Sequence, residues 1–405
     1  MEKMTAGGVT AAKGFSASGM HCGIRKNKSK PDLAMIYSEV PCTAAAVYTQ
    51  NLVQGAPIRV TKKHLANGIA QGVIINSGNA NTCNADGEEK ALEMCEIAAG
   101  QLSIPVSDVV VASTGVIGQV LPIEPIRQGA KALKEALSPT GSLAAATAIM
   151  TTDTFPKEAT VSFSLDGKPL HMGGIAKGSG MIHPNMATML SFVTTDCAIS
   201  AEMLQLAISR VTAETFNMVS VDGDCSTNDT FCILANGLGG NDPITEENDA
   251  FRLFCEKLLG LCKNLSKQLA ADGEGATKLL VCQVTGGKDR ETARAVAKSV
   301  ICSALLKAAM FGRDANWGRV LCAIGYAGAD VKVNKIDVAF SSSEGELAVC
   351  RQGHGIDFSE ELAAKVLSPK EIDILVSLND GDEAAEAYGC DLTYDYVRIN
   401  GDYRT

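Results

Sequence analysis

The sequence predicts an α+β fold in which mixed β-sheets are layered and flanked by helices. Three observations lead to this prediction: helical periodicities recur along the chain, short apolar runs alternate with them, and one clear hairpin implies antiparallel pairing. The chain has 405 residues, of which 46% are hydrophobic and 20% charged. That composition is typical of a globular protein with a sizeable core, long enough for two or three domains.

The helical predictions rest on apolar residues spaced three and four apart. The clearest pattern covers 289–311, where Gly312 follows as a stop signal. Similar patterns predict helices over 88–102, over 201–216 after a possible N-cap at Ser200, and over 246–265.

The strand predictions begin with a hairpin at 159–165 and 168–176. Asp166 and Gly167 separate these two runs, and an Asp-Gly pair suits the positive φ values of a tight primed turn. Four further apolar runs are interpreted as strands, namely 72–75, 109–112, 279–284 and 372–378. A boundary between compact parts is expected near the Gly- and Asn-rich stretch 236–243.

Charge and composition exclude several classes of protein. The chain has 36 Lys and Arg against 46 Asp and Glu, a net charge of −10 without long like-charge blocks, which argues against a nucleic-acid or anionic-membrane partner. The N-terminal stretch carries Glu2 and lacks the apolar segment of a secretory signal, so we expect a cytoplasmic protein. The 14 cysteines form no CxxC pair and the five histidines show no metal spacing, so we expect reduced thiols and no metal.

Four clusters of small and polar residues are the best candidates for a site. They lie at 76–81, 113–118, 177–190 and 272–278. Glycine lets backbone N–H groups approach a ligand or an oxyanion closely, although turns alone also favour such clusters. The stretch 286–288 is not a phosphate-binding P-loop, because Asp289 follows where Ser or Thr would hold magnesium, and no GxSxG elbow supports a serine triad.

Thr188 offers a nucleophile that needs no histidine. It follows Ala187 at the end of a glycine-rich cluster and opens an apolar run. If its hydroxyl attacked the Ala187 carbonyl, an acyl shift and hydrolysis would cut the chain, and the freed α-amino group could then serve as the base for the hydroxyl. The residue alone does not decide between this chemistry and a β-branched residue at the start of a strand.

Six motifs in chain order add a resemblance that covers nearly the whole sequence. They are STG at 113–115, TTDT at 151–154, KGSGMIHPNMATML at 177–190, DGEGATK at 272–278, FGRDANWGR at 311–319 and the C-terminal stretch 400–405. Together they resemble the ornithine acetyltransferase family of arginine biosynthesis, also called bifunctional glutamate N-acetyltransferases. The Ala-Thr-Met-Leu junction at 187–190 is the most specific element.

The resemblance implies a precursor that cleaves itself between Ala187 and Thr188. The products would be an α chain, 1–187, and a β chain, 188–405, which remain one folded unit with two or three lobes in an αββα-type sandwich and assemble as α2β2. Thr188 would take acetyl from N2-acetylornithine and pass it to glutamate, with acetyl-CoA as a possible co-substrate. The family needs no metal or organic cofactor.

The resemblance also assigns site residues. The oxyanion hole falls on Thr114 and Gly115, and the substrate-binding positions are Thr154, Lys177, Thr188, Glu274, Asn400 and Thr405. Thr151 and Thr152 offer alternative alignments for Thr154. Lys177 suits the carboxylates of the substrates, and Glu274 suits the cationic side chain of ornithine.

Two other classes of function stay open at this point. One is a self-processing aminopeptidase, in which water resolves the acyl-enzyme; it would release amino acids from small peptides without acetyl transfer. The other is an acidic binding protein whose glycine loops hold a small anion, and it would bind a ligand without turnover.

Overall fold

The computed structural model describes residues 7–183 and 189–402, which form two compact units. The first unit comprises 7–178, 189–217 and 225–265, and the second comprises 179–183, 218–224 and 266–402. The boundary predicted near 236–243 is wrong, since this stretch lies inside the first unit. Its glycines and asparagines serve turns there: the Asn241 side chain accepts from the Ala198 N–H at 2.8 Å and donates to the Ala198 carbonyl at 3.1 Å.

Helices and strands are interspersed along the described chain. The α-helices are α1 (Ala56–His64), α2 (Gly87–Leu102), α3 (Ile123–Glu135), α4 (Ser142–Ala148), α5 (Ala201–Glu214), α6 (Asp249–Ala271), α7 (Arg290–Cys302), α8 (Ala304–Phe311), α9 (Trp317–Gly325), α10 (Glu360–Val366) and α11 (Tyr394–Asp402). The strands are β1 (Phe15–Met20), β2 (Leu33–Tyr48), β3 (Ile69–Asn79), β4 (Val109–Val116), β5 (Lys157–Leu165), β6 (Lys168–Lys177), β7 (Leu190–Thr195), β8 (Val219–Ser220), β9 (Thr230–Ala235), β10 (Leu279–Gly287), β11 (Asp337–Ser342), β12 (Gly345–Arg351), β13 (His354–Gly355), β14 (Glu371–Ser377) and β15 (Glu383–Cys390).

The first unit is built on a mixed sheet in the order β4-β3-β2-β9-β7-β6-β5, with β1 paired to β2. Strands β3 and β4 run parallel, as do β7 and β9, whereas β6 pairs antiparallel with both β5 and β7. Apolar side chains cover both faces: Leu33 and Met35 of β2 pack in a cluster with α2 and α3, and the alternating Ala34 and Ile36 pack in a cluster with α4.

The second unit is built on another mixed sheet, in the order β13-β12-β11-β14-β10-β15-β8. Strands β10 and β14 are parallel and β10 and β15 antiparallel. Its core buries the apolar stripe of α7 against alternating residues of β10 such as Leu280 and Cys282. The predicted class of mixed sheets flanked by helices is therefore confirmed.

The element predictions hold except at one helix break. Helix α2 and the hairpin of β5 and β6 are confirmed, with Asp166 and Gly167 at φ values of 53° and 73°. Helix α5 begins after Ser200, whose hydroxyl accepts from the Met203 N–H. The single helix predicted over 289–311 is wrong, because Ser303 is extended with a ψ of 106° and caps a new helix, accepting from the Leu306 N–H at 3.3 Å.

Candidate functional site

The end of β4 approaches β3 so closely that only glycine fits there. Gly115 pairs with Gly78 and has a φ of 130°, and a Cβ on Gly115 would lie 2.4 Å from the Gly78 carbonyl carbon. Thr114 precedes it and is the first of the three half-buried residues that end β4, whose first five residues are buried. The Thr114 hydroxyl and the Gly115 backbone are thus presented at a strand end, where they could stabilise a developing negative charge.

Lys177 lies at the end of β6 and contacts this pair. Its Nζ donates to the Thr114 Oγ1 at 3.4 Å, and the residue is only 8% exposed. Burial lowers the pKa of the Lys177 ammonium; the Asp153 carboxylate opposes this, while the positive charges of Lys157 and Arg25 add to it. Lys177 pairs with Leu190 of β7, the second residue after Thr188.

A fully buried ion pair supports the backbone immediately after this lysine. The Asp153 Oδ1 accepts from the Lys157 Nζ at 2.7 Å and from the Gly178 N–H at 2.6 Å, and both charged side chains are inaccessible to solvent. The Asp153 Oδ2 accepts from the Thr151 N–H at 2.9 Å. Burial alone would raise the pKa of the Asp153 carboxyl, but the charges of Lys177 and Lys157 outweigh it, so its pKa lies below the ordinary range.

Thr154 follows this carboxylate and is exposed, whereas Thr151 is half-buried and bonded to Asp153. Thr151 and Thr152, the alternative alignments, are both half-buried in the short loop between α4 and β5. Of these three threonines, Thr154 is the exposed one.

Arg25 was missed by the sequence reasoning. Its side chain lies over Gly78, since a Cβ there would be 2.7 Å from the Arg25 Cγ, and its guanidinium donates to the Met150 carbonyl. The buried Asp32 carboxylate fixes the loop by accepting from the Arg25 N–H at 2.9 Å. No sequence signal marks this arginine, because its neighbours come from distant parts of the chain.

In the second unit the structure brings together Glu274 and Asn400. The Asn400 Nδ2 donates to the Glu274 Oε2 at 2.7 Å, and the Glu274 N–H donates to the Ser179 carbonyl at 2.8 Å. A Cβ on Gly180 would lie 2.4 Å from the Glu274 carboxylate, so this glycine lets the acid lie against the backbone. The exposed Asn400 comes from α11 and the half-buried Glu274 from the loop before β10.

The stretch 179–183 is further fixed by Asp222 and Ser220. The Asp222 carboxylate accepts from the backbone N–H groups of Met181 at 2.6 Å and Ile182 at 2.9 Å. His183 Nδ1 lies 3.0 Å from the Ser220 Oγ. Burial and the Lys298 charge lower the pKa of His183 to about 4, against the opposing effect of Asp222, so this imidazole is neutral at pH 7.

The predicted site residues thus fall into three sets. Thr114, Gly115 and Lys177 lie together in the first unit, with Thr154 beside the Asp153 that supports Lys177. Glu274 and Asn400 lie together in the second unit. The predicted cleavage residues Ala187 and Thr188, and the substrate-binding Thr405, lie outside the described residues.

Within residues 7–183 and 189–402, no helix is long and apolar enough to cross a membrane. No group of three or more His, Cys, Asp or Glu side chains in this part of the chain could hold a metal ion.

Comparison with known proteins gives consistent matches. The model of the ArgJ family matches residues 16–405. The arginine biosynthesis bifunctional protein ArgJ of Caldanaerobacter subterraneus subsp. tengcongensis is 48% identical over 98% of this chain and 99% of its own, and that of Symbiobacterium thermophilum is 49% identical over 99% of each chain. The crystal structure of the ArgJ protein from Bacillus halodurans is 46% identical with a TM-score of 0.51, covering 53% of this chain and 100% of that chain.

Proposed function

Because this chain belongs to the ArgJ family of bifunctional arginine-biosynthesis enzymes, we propose that it is a self-cleaving ornithine acetyltransferase. It cuts itself between Ala187 and Thr188 and moves acetyl from N2-acetylornithine to glutamate through an acetyl-threonine intermediate. The observation that supports this most strongly is the contact of buried Lys177 with Thr114 beside Gly115. Lys177 also pairs with the strand that begins two residues after Thr188.

Self-cleavage starts with the Thr188 hydroxyl. Its oxygen attacks the Ala187 carbonyl carbon, the C–N bond breaks, and the nitrogen takes up a proton to become the α-amino group of Thr188. The resulting ester between Ala187 and the Thr188 oxygen is hydrolysed by water, which leaves a carboxylate on Ala187 and restores the hydroxyl. The new α-amino group, with an unperturbed pKa of about 8, is then a base within reach of its own hydroxyl.

Acetyl transfer repeats this chemistry on a substrate. The Thr188 oxygen attacks the acetyl carbonyl of N2-acetylornithine, and ornithine leaves with the proton that the α-amino group had removed. The amine of glutamate then attacks the acetyl-threonine ester, forms the new amide and returns the proton to the threonine oxygen. Two half-reactions that share one covalent intermediate predict ping-pong kinetics.

Thr114 and Gly115 are suited to stabilise the tetrahedral oxyanion in both reactions. The Thr114 oxygen accepts from Lys177, which leaves its O–H to donate to a developing negative charge. The positive charge of Lys177 also favours that anion. Removing one donor of this kind typically costs about 10²- to 10³-fold in rate.

Charge supports the assignment of the substrate-binding positions. Lys177 interacts with the positive charges of Lys157 and Arg25 as well as with the Asp153 carboxylate, and its own ammonium suits a substrate carboxylate. Glu274 suits the cationic side chain of ornithine, and the Asn400 amide, the other proposed binding group, donates to the Glu274 carboxylate at 2.7 Å. Thr154 and Thr405 complete the proposed set.

The proposed cycle needs no metal or organic cofactor, because the acetyl group moves only between oxygen and nitrogen atoms of the protein and its substrates. Treatment with a chelator is expected to leave acetyl transfer unchanged. Use of acetyl-CoA is tested by measuring acetylglutamate formation without acetylornithine. The α2β2 assembly is tested by the native mass of purified enzyme.

Denaturing electrophoresis and an acetyl-transfer assay test the proposal together. Wild type is expected as two chains of about half size, and Thr188→Ala as one uncut and inactive chain. Thr188→Ser keeps a hydroxyl and should retain both cleavage and part of the activity. A single intact wild-type chain that still transfers acetyl groups would contradict the self-cleavage step, and two chains that release amino acids from peptides without acetyl transfer would contradict the transferase.

A further inference from the structure

We propose that Asn228 is a positioning residue for the oxyanion-hole pair Thr114 and Gly115. The inference rests on the proposed function, because it assigns Asn228 to the same reaction. Asn228 lies just before β9, far in sequence from β4, and is only 5% exposed. The sequence reasoning did not single it out.

The amide nitrogen of Asn228 binds two backbone carbonyls of the site. Its Nδ2 donates to the Ser113 carbonyl at 3.0 Å and to the Ala80 carbonyl at 2.6 Å. The first bond fixes the peptide group that joins Ser113 to Thr114. The second ties this group to the loop after β3.

The amide oxygen of Asn228 accepts from two buried hydroxyls. The Thr82 Oγ1 donates at 2.6 Å and the Thr227 Oγ1 at 2.5 Å. Both amide hydrogens and both acceptor positions of the asparagine are therefore used. This saturation holds the amide in one orientation, since a flipped amide would face two carbonyls with its oxygen and two hydroxyls with its nitrogen.

The same loop holds the far side of the pair. The Ala80 N–H donates to the Val116 carbonyl at 2.8 Å, and the Gly118 N–H donates to the Thr82 carbonyl at 2.9 Å. Asn228 thus binds Ser113 directly on one side of Thr114 and Gly115, and it binds the segment that holds Val116 and Gly118 on the other side.

The backbone of Gly55 lies close against the Asn228 amide. A Cβ on Gly55 would lie 2.6 Å from the Asn228 Nδ2. Packing and hydrogen bonding therefore both fix the amide. Oxyanion-hole donors need such precision, because misplacement by about 1 Å can cost about 100-fold in rate.

The decisive variant is Asn228→Asp. Aspartate has the same shape but cannot donate to the Ser113 and Ala80 carbonyls, so it releases or repels both. We expect kcat for acetyl transfer to fall about 10- to 100-fold while KM for acetylornithine changes less than about threefold, since the interaction acts in the transition state. Self-cleavage passes through the same oxyanion hole and should slow as well, measured as conversion of uncut chain after in vitro translation.

Asn241→Asp is a matched control. Asn241 is a comparably buried asparagine of the first unit, 6% exposed, whose amide donates to the Ala198 and Asp242 carbonyls and accepts from the Ala198 N–H. The Asn241→Asp substitution should lower the melting temperature but leave kcat of the folded enzyme within about twofold of wild type. If Asn228→Asp does not fold, Thr82→Val removes one hydroxyl that orients the amide, and a kcat decrease of about threefold or more is expected.

The outcomes separate the inference from the proposed function. Unchanged kcat and cleavage rates in Asn228→Asp and Thr82→Val would overturn the inference. A decrease in kcat of Asn241→Asp as large as that of Asn228→Asp would overturn it as well. A wild-type enzyme without acetyl transfer would instead overturn the proposed function. In that case the self-cleavage rates of the Asn228 and Thr82 variants would still decide whether Asn228 supports the oxyanion hole.

Discussion

At the scale of single residues, the first unit contains a buried ion pair that orders the site. Asp153 neutralises Lys157 and also binds the backbone N–H groups of Thr151 and Gly178. A buried pair contributes little by itself, yet removing one partner leaves a buried charge without compensation. The pair therefore couples the stability of the unit to the position of Lys177.

Replacing Asp153 by asparagine tests this coupling. We expect Asp153→Asn to lower the free energy of unfolding by about 3–5 kcal/mol, because Lys157 keeps its charge in the core. Asp153→Leu with Lys157→Met should recover part of that loss, the remainder being the unpaired N–H groups. Asp249→Asn, which breaks an exposed pair with Arg252, should change the free energy by less than about 1 kcal/mol. The free energy of unfolding is measured by urea unfolding. An equal decrease for all three variants would contradict this coupling.

His183 predicts a dependence of stability on pH. Its pKa is about 4 in the fold against 6.5 ordinarily, so the unfolded chain binds a proton first as the pH falls. As far as His183 contributes, the free energy of unfolding should therefore decrease as the pH falls from 6.5 towards 4. Above pH 6.5 it should not change with pH. His183→Asn should flatten this slope in urea unfolding at pH 5 and pH 7. An unchanged slope in the variant would show that His183 is not its cause.

At the scale of elements, local chemistry was predictable and helix continuity was not. The hairpin of β5 and β6 followed from Asp166 and Gly167, whose backbones must adopt positive φ. The break at Ser303 escaped prediction because the apolar spacing of α7 continues through it into α8. Periodicity reports which side of a helix is buried, and two helices in succession can keep the same spacing.

Gly115 and Gly118 form a matched pair at the end of β4. Both have positive φ, but a Cβ at Gly115 would meet the backbone of Gly78 and Asn79 at 2.4–2.5 Å, whereas nothing lies within 4 Å of one at Gly118. Gly115→Ala should therefore separate the strands and lower kcat by about 100-fold or more. Gly118→Ala should cost only about 1 kcal/mol of stability with kcat nearly unchanged. Equal kcat values for the two variants would contradict the proposed role of Gly115.

At the scale of the whole molecule, the proposed cut falls between neighbouring strands of one sheet. Strand β6 precedes Thr188 and β7 follows it, and the two pair over six residues, with β7 also paired to β9. Both products would keep these hydrogen bonds, so cleavage need not dissociate the chains. Motifs point to the site positions Thr114, Lys177 and Glu274, whose roles stay predictions. Arg25 and Asn228 were missed because their partners lie 125 and 148 residues away in the chain.

Mass spectrometry of enzyme quenched after mixing with acetylornithine and no glutamate tests the acetyl-threonine mechanism itself. We expect a fragment that begins at Thr188 and has gained one acetyl group on that residue, and loss of the group once glutamate is added. Active enzyme that lacks a fragment beginning at Thr188, or one whose acetyl group resides on another residue, would contradict this mechanism.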